Sequence, residues 1–289
     1  MKISIIIINK DDRGIADTLT ELLKIKNPKP AEIIVVDASN GRLDDIKQEF
    51  STISWYNFQS TNNKKRTIPE QRNYGIDKAQ GNVIVFIDAN CIPSTNWLLN
   101  LTSPIVNEGE KIVAGSFAST GTRTIHDDES NRRNDEKYLP ECPTMNVAFK
   151  KDVYSVLGGF DKNFDYGSDV DFTWRASFAG FKIRYAPTAQ ITHDWGNQTD
   201  DLKRAYRYGR GRAKLYLKHP NNWRNLFPNE VAVIAYPLYI LGLPFTFFFW
   251  PYPLLILIPI LKNINNLPFK KVGYQLVYAI GIFRGLISV

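Results

Sequence analysis

Three polar residues close apolar runs in this chain: Asn9 after residues 3–8, Asp37 after residues 33–36, and Asp88 after residues 83–87. Short β-branched runs of this kind read as strands covered on both faces. A polar residue just past such a strand lies on the rim where open α/β sheets bind their ligands. One aspartate there is more often a turn or cap residue; three polar strand ends on one rim point to a bound polar ligand. Further along, Asp169 and Asp171 open a helical stretch, where they could cap it and favour its positive end. Asp171 stands four residues before Arg175, the spacing of an ion pair along a helix. Several chemistries are disfavoured by absent motifs. No GxGxxG follows the first run and no GxxxxGK[ST] occurs, which removes the dinucleotide fingerprint and the P-loop. No CxxC pair and no HExxH is present, so thiolate zinc and zincin chemistry have no support. The histidines are His126, His193 and His219.

The elements that must hold these residues alternate. The spacing predicts strands over 2–8, 32–36, 53–58 and 83–87, and helices over 14–26, 42–50 and 67–79, the last opened by a capping box of Thr67 with Glu70. Strand–helix alternation with buried strands implies an α/β domain whose mostly parallel sheet carries helices on both faces. Residues 120–140 carry five acids between Asp127 and Glu136, mixed with Arg132 and Arg133. That composition predicts a mobile loop.

The chain has 289 residues, 36 Lys+Arg against 29 Asp+Glu, 44% hydrophobic and 22% charged residues, which excludes disorder as its main state. Two cysteines cannot staple a chain of this length, and a reducing compartment fits better. The apolar start is too short for a signal peptide, so the first domain is expected in the cytosol. The hydrophobicity is uneven. Residues 231–261 are 31 residues without Asp, Glu, Lys, Arg or His, and residues 272–289 carry only Arg284. A membrane span needs about 20 apolar residues, and five prolines interrupt the first run, so a broken or re-entrant hairpin is expected. The flanks are basic: residues 203–224 hold eight Lys and Arg and no acid, and Lys262, Lys270 and Lys271 follow. The positive-inside rule puts both flanks on the cytoplasmic side. Nucleic acid is excluded as a partner, because the basic residues adjoin the apolar tail and no recognition motif is present.

Over residues 1–195 the order of motifs resembles the family 2 glycosyltransferases of the GT-A fold. The resemblance rests on ISIIIINK at 3–10, EIIVVDAS at 32–39, QRNYG at 71–75 with AQGNVIVFIDAN at 79–90, and NVAF at 146–149. It continues through GGFD at 158–161 and GSDVD at 167–171 to Arg175 and Gly180, and ends in YAP at 185–187 leading to His193. It implies transfer of a sugar from a nucleotide diphosphate donor, a UDP-sugar being expected, usually with inversion. Negative charge then develops on the departing diphosphate, where a divalent cation and basic side chains stabilise it. By the resemblance Asp37 holds the base, Asn9 and Arg72 belong to the donor site, and Asp88 meets the ribose or the metal-bound diphosphate. Asp88, Asn90 and His193 form the site for Mn²⁺ or Mg²⁺. Position 90 departs from the family pattern, being Asn where a second aspartate is usual; an amide oxygen ligates without charge, so metal affinity should fall.

Asp169 matches the aspartate of the family's Glu-Asp pair, with Ser168 in place of the glutamate, and is the expected base for the acceptor hydroxyl. Asp171, Arg175 and the loop at 120–140 are expected on the acceptor side. Arg204 and Arg207, in RAYRY at 204–208, resemble the QxxRW element that touches the donor diphosphate in membrane polysaccharide synthases. The segment YGRGRA at 208–213 with His219-Pro220 resembles the tail of succinoglycan-type exopolysaccharide glycosyltransferases. The expected organisation is therefore a catalytic domain over 1–200, a basic amphipathic interface helix over 201–227 and hydrophobic membrane-associated helices over 228–289. The expected activity is transfer to a lipid-linked saccharide in cell-surface polysaccharide synthesis, at the cell membrane with the catalytic domain on its cytoplasmic side. Transfer to polyprenyl phosphate and a non-catalytic nucleotide-sugar-binding protein are the alternatives.

Overall fold

A computed structural model describes residues 1–60, 67–120, 136–194, 198–225, 230–265 and 267–287. The chain divides into two compact units, Met1–Asp194 and Trp195–Val289. In the first unit, β1 (Ile3–Asn9), β2 (Glu32–Asp37), β3 (Ser54–Asn57) and β4 (Val83–Ile87) alternate with α1 (Ile15–Leu23), α2 (Asp44–Glu49) and α3 (Ile68–Lys78). Then follow β5 (Cys91–Pro93), α4 (Trp97–Asn107), β6 (Ile112–Ser119), β7 (Tyr138–Leu139), β8 (Asn146–Lys150), α5 (Lys151–Leu157), α6 (Ser168–Phe178) and β9 (Ile183–His193).

The strands form one sheet in the order β3-β2-β1-β4-β8-β6-β9-β5, with β7 beside β9. β1 to β4 pair in parallel as the alternation implies, but β8 runs antiparallel to both β4 and β6, and β9 is antiparallel to β5 and β7. The sheet is therefore mixed rather than mostly parallel. Its second half has no strand–helix alternation to enforce parallel crossovers, since β6, β7 and β8 follow one another without a described helix between them. Both faces are covered. Ile6, Ile34, Val36, Ile84 and Phe86 pack with Ile76 of α3, Val153 of α5 and Phe172 of α6, while Ile5 and Ile7 on the opposite face are also fully buried.

The capping box at Thr67 does not form. The Thr67 hydroxyl turns to Gln71 Oε1 at 3.0 Å, and Glu70 accepts from Ser60 Oγ at 3.0 Å. Most of the expected acceptor-side loop, residues 121–135, lies outside the described residues.

In the second unit α7 (Gln198–Lys218) leads into a 3-10 turn, Pro220–Asn225. The apolar run divides into α8 (Val231–Gly242), 3-10 turns Leu243–Phe247 and Tyr252–Ile256, and α9 (Leu257–Lys262), followed by α10 (Pro268–Ile287); Pro244, Pro251 and Pro253 fall at the breaks, while Pro237 and Pro259 lie inside α8 and α9. The run folds back on itself: Tyr239 stacks on Tyr252 with centroids 5.7 Å apart, and Tyr239 Oη donates to Pro253 O at 3.1 Å. Among the described residues no helix is long and apolar enough to cross a membrane.

Candidate active site

The parallel register aligns three strand ends: Asn9 faces Asp37 across β1 and β2, and Asp37 faces Asn57 across β2 and β3. Asn9 is buried and committed to its own loop, Nδ2 donating to Asp12 O at 3.0 Å and Oδ1 accepting from Asp12 N at 3.3 Å. Asp37 is buried too. Its Oδ1 accepts from the Ser39 amide at 3.0 Å and from the Ser39 hydroxyl, and no hydrogen bond to Oδ2 is present among the described residues. Gln71 of α3 ties the two strand ends together, its Nε2 donating to Asn9 O at 2.9 Å and Val36 O at 2.8 Å.

Asp88 follows β4 directly. Desolvation pushes its carboxyl above the usual carboxylate range; Arg72 and then His193 draw it back down, and the carboxylates of Asp169 and Asp12 raise it further. The chain ties the same groups together: Arg72 bonds Ser168, next to Asp169, and His193 stands opposite Cys91, three residues after Asp88. Arg72 is buried, donates from Nη1 to Ser168 Oγ at 2.8 Å, and holds its guanidinium over the Phe160 ring at 5.4 Å. Asp169, half-buried in the first turn of α6, accepts from the Val170 amide at 3.0 Å. The N-cap of that helix is Gly167, at φ 84°, so neither Asp169 nor Asp171 caps it. His193 ends β9 opposite Cys91. The Cys91 thiol is fully buried and pushed up by burial and then by Asp88, so it is no nucleophile. Asn90 lies at φ 61° in the turn between β4 and β5.

Asp88, Asn90 and His193 offer a carboxylate, an amide oxygen and an imidazole. Among the described residues no three His, Cys, Asp or Glu side chains gather as a metal centre. These are donors for a hard cation, and a diphosphate would have to supply its remaining ligands.

The profile described as Glycosyl transferase family 2 matches residues 3–161, more than half of the chain. The chain belongs to glycosyl transferase family 2. Glycosyltransferase AglE of Haloferax volcanii is 27% identical over 215 residues, which cover 71% of this chain and 70% of that one. Among solved structures, the mannosyltransferase PcManGT from Pyrobaculum calidifontis, in complex with GDP-Man and Mn²⁺, superposes with a TM-score of 0.71 at 15% identity, covering 99% of this chain and 87% of that one. GalNAc-T7 with UDP, GalNAc and Mn²⁺ gives a TM-score of 0.55 at 15% identity over 76% of this chain and 54% of that one. This family 2 glycosyltransferase is thus a transferase with a GT-A fold.

The remaining expected residues of the glycosyltransferase are Asp171 and Arg175 on α6 and Arg204 and Arg207 on α7. Asp171 is fully buried and pairs with Arg175 at 2.9 Å, while Arg175 donates to Leu157 O at 2.6 Å and Gly159 O at 2.7 Å. The pair thereby holds the turn that delivers Phe160. Arg204 and Arg207 stand three apart on α7 in the second unit, Arg204 paired with Asp201. Sequence reasoning missed Asn73, whose side chain grips the Phe160 backbone from both sides at 2.8 Å, and Gly14. A Cβ at Gly14 would lie 2.7 Å from Asn90 Cβ and 2.8 Å from its Oδ1. The signal for Asn73 was its place inside QRNYG; Gly14 gave none.

Proposed function

We propose that this enzyme moves a sugar from a nucleoside diphosphate donor to a lipid-linked saccharide of cell-surface polysaccharide, with inversion at the anomeric carbon. The observation that carries the reading is the placement of Arg72, bonded to Ser168 next to Asp169, and of His193, opposite Cys91 three residues after Asp88. Asp37 Oδ2 is an acceptor suited to a base N–H, as in uracil or guanine; the two similar structures hold GDP-Man and UDP. Asp88, Asn90 and His193 would hold Mn²⁺ or Mg²⁺, which when bound neutralises charge on the diphosphate. Arg72 adds a fixed positive charge beside it. Asp169 takes the proton of the acceptor hydroxyl as its oxygen bonds to the anomeric carbon; the bond from that carbon to the diphosphate breaks, and its electron pair leaves with the diphosphate.

The second unit brings the enzyme to the cytoplasmic face of the cell membrane. Its basic helix α7 suits anionic headgroups, and Phe247, Phe248 and Trp250 are 89%, 81% and 75% exposed. The test uses detergent-solubilised full-length protein, labelled UDP- and GDP-sugars, and two acceptors: a lipid-linked disaccharide and polyprenyl phosphate. Transfer to the disaccharide is expected; transfer to polyprenyl phosphate alone would replace this acceptor. Asp169→Asn should keep nucleotide binding and lose transfer by about 10²–10⁴-fold. Unchanged turnover in that variant removes Asp169 as the base.

A further inference from the structure

β9 does not run straight to His193. It pairs with β6 as far as Gly115 opposite Ala186 and resumes at Ser116 opposite Gln190, so Pro187, Thr188 and Ala189 are extra residues on β9. In uninterrupted register Ser119 would face Gln190; instead it faces His193. At about 3.3 Å per residue, the excursion draws His193 back by roughly 10 Å. Being odd in number, the extra residues also exchange the faces to which the last side chains of β9 point. His193 thereby comes opposite Cys91, three positions after Asp88, close enough to act on the Asp88 carboxyl.

Each carbonyl of the excursion has a side-chain donor. Ser116 Oγ donates to Pro187 O at 2.7 Å, Asn100 Nδ2 to Thr188 O at 3.0 Å and Asn146 Nδ2 to Ala189 O at 2.8 Å. Asn146 is the centre of this clamp. Its Nδ2 also donates to Ser116 O at 2.7 Å, and its Oδ1 accepts from Trp97 Nε1 at 2.8 Å. It thus binds β6 just after the register change and β9 at the last extra residue. Gly115 leaves it room: a Cβ there would lie 2.3 Å from both Ala189 O and Asn146 Nδ2. Asn146 also faces Ile87, the residue before Asp88. An amide with all of its partners inside the protein fixes one geometry, and a buried network of this kind is costly to break.

We propose that Asn146, held by Trp97, is a positioning residue that sets the reach of His193 toward Asp88 and so aims the imidazole at the cation that accompanies the donor diphosphate. The proposal rests on the donor-site reading above, and the two fail differently. Full-length protein carrying ring-labelled histidine is observed by NMR, with the His193 signal assigned through His193→Gln. Mn²⁺ added with UDP or GDP is expected to broaden that signal in the wild type. In Asn146→Ala the His193 signal should shift while that of His219 stays, and Mn²⁺ affinity in the presence of the nucleotide, read from the EPR signal of free Mn²⁺, should fall at least about tenfold. Ile46→Ala, at the other end of the sheet, should lower the Tm without moving the His193 signal. If Asn146→Ala does not fold, Trp97→Phe removes the indole N–H and should shift His193 in the same sense. An unmoved His193 signal with unchanged Mn²⁺ affinity, in whichever of the two folds, overturns the proposal. A wild-type His193 signal indifferent to Mn²⁺ with either nucleotide overturns the cation-site reading instead.

Discussion

Position 90 shows how little freedom one residue of the site has. Its backbone stands at φ 61°, where glycine, asparagine and aspartate are the residues that settle readily. The facing position is Gly14, whose missing side chain is what lets Asn90 sit there. A branched or bulky residue is therefore excluded by shape, whereas the choice between an amide and a carboxylate is one of charge alone. Asn90→Asp should keep the turn and add a negative ligand beside Asp88. Mn²⁺ binding in the presence of the nucleoside diphosphate is expected to tighten about tenfold, the equivalent of roughly 1.4 kcal/mol, as read by calorimetry. Without the cation the same variant should melt lower, because like charges then face each other unscreened. Equal or weaker Mn²⁺ affinity would show that position 90 does not reach the cation.

At the scale of elements, α7 and α10 meet through glycines. A Cβ on Gly281 would lie 2.2 Å from Tyr206 O, and one on Gly209 would lie 2.0 Å from Tyr278 O, so backbone touches backbone. Gly273 in the same helix α10 has open space around it. Gly281→Ala should therefore destabilise by about 1–3 kcal/mol through overpacking. Gly273→Ala should be neutral or stabilise by up to about 1 kcal/mol from helix propensity. A lowered Tm for Gly281→Ala beside an unchanged or raised Tm for Gly273→Ala is expected in thermal melts, and equal shifts would contradict the crossing. What the sequence made legible follows the same division between near and far. The buried runs of β1, β2 and β4 and the polar residues behind them announce themselves locally, through composition and position. The antiparallel half does not, because its pairing joins segments distant in the chain. β9 continues past Pro187 only because an excursion absorbs the proline. Likewise Arg72 finds Ser168 across 96 positions, a contact that no periodicity encodes.

At the scale of the whole molecule, the second unit presents large apolar side chains on its surface. Phe247, Phe248 and Trp250 cluster near the tip of the folded-back run and are mostly exposed. Fully burying a large apolar side chain contributes about 1.5–3 kcal/mol, so the proposed membrane association would need no more than these three side chains and no crossing helix. The exposed Lys262 and Lys270 nearby in sequence add about 1 kcal/mol each on an anionic leaflet. The two contributions separate with salt. Co-sedimentation with vesicles of phosphatidylcholine and phosphatidylglycerol should fall at least about 100-fold in a Phe247→Ser/Phe248→Ser/Trp250→Ser variant, at low and high ionic strength alike, since burial of apolar area is not screened. Lys262→Gln/Lys270→Gln should weaken binding only modestly. That loss should vanish above roughly 0.5 M salt, where the Debye length is shorter than a side chain, and on neutral vesicles. If the aromatic variant binds as the wild type does, the exposed face meets something other than lipid, and the acceptor must then reach the enzyme by another route.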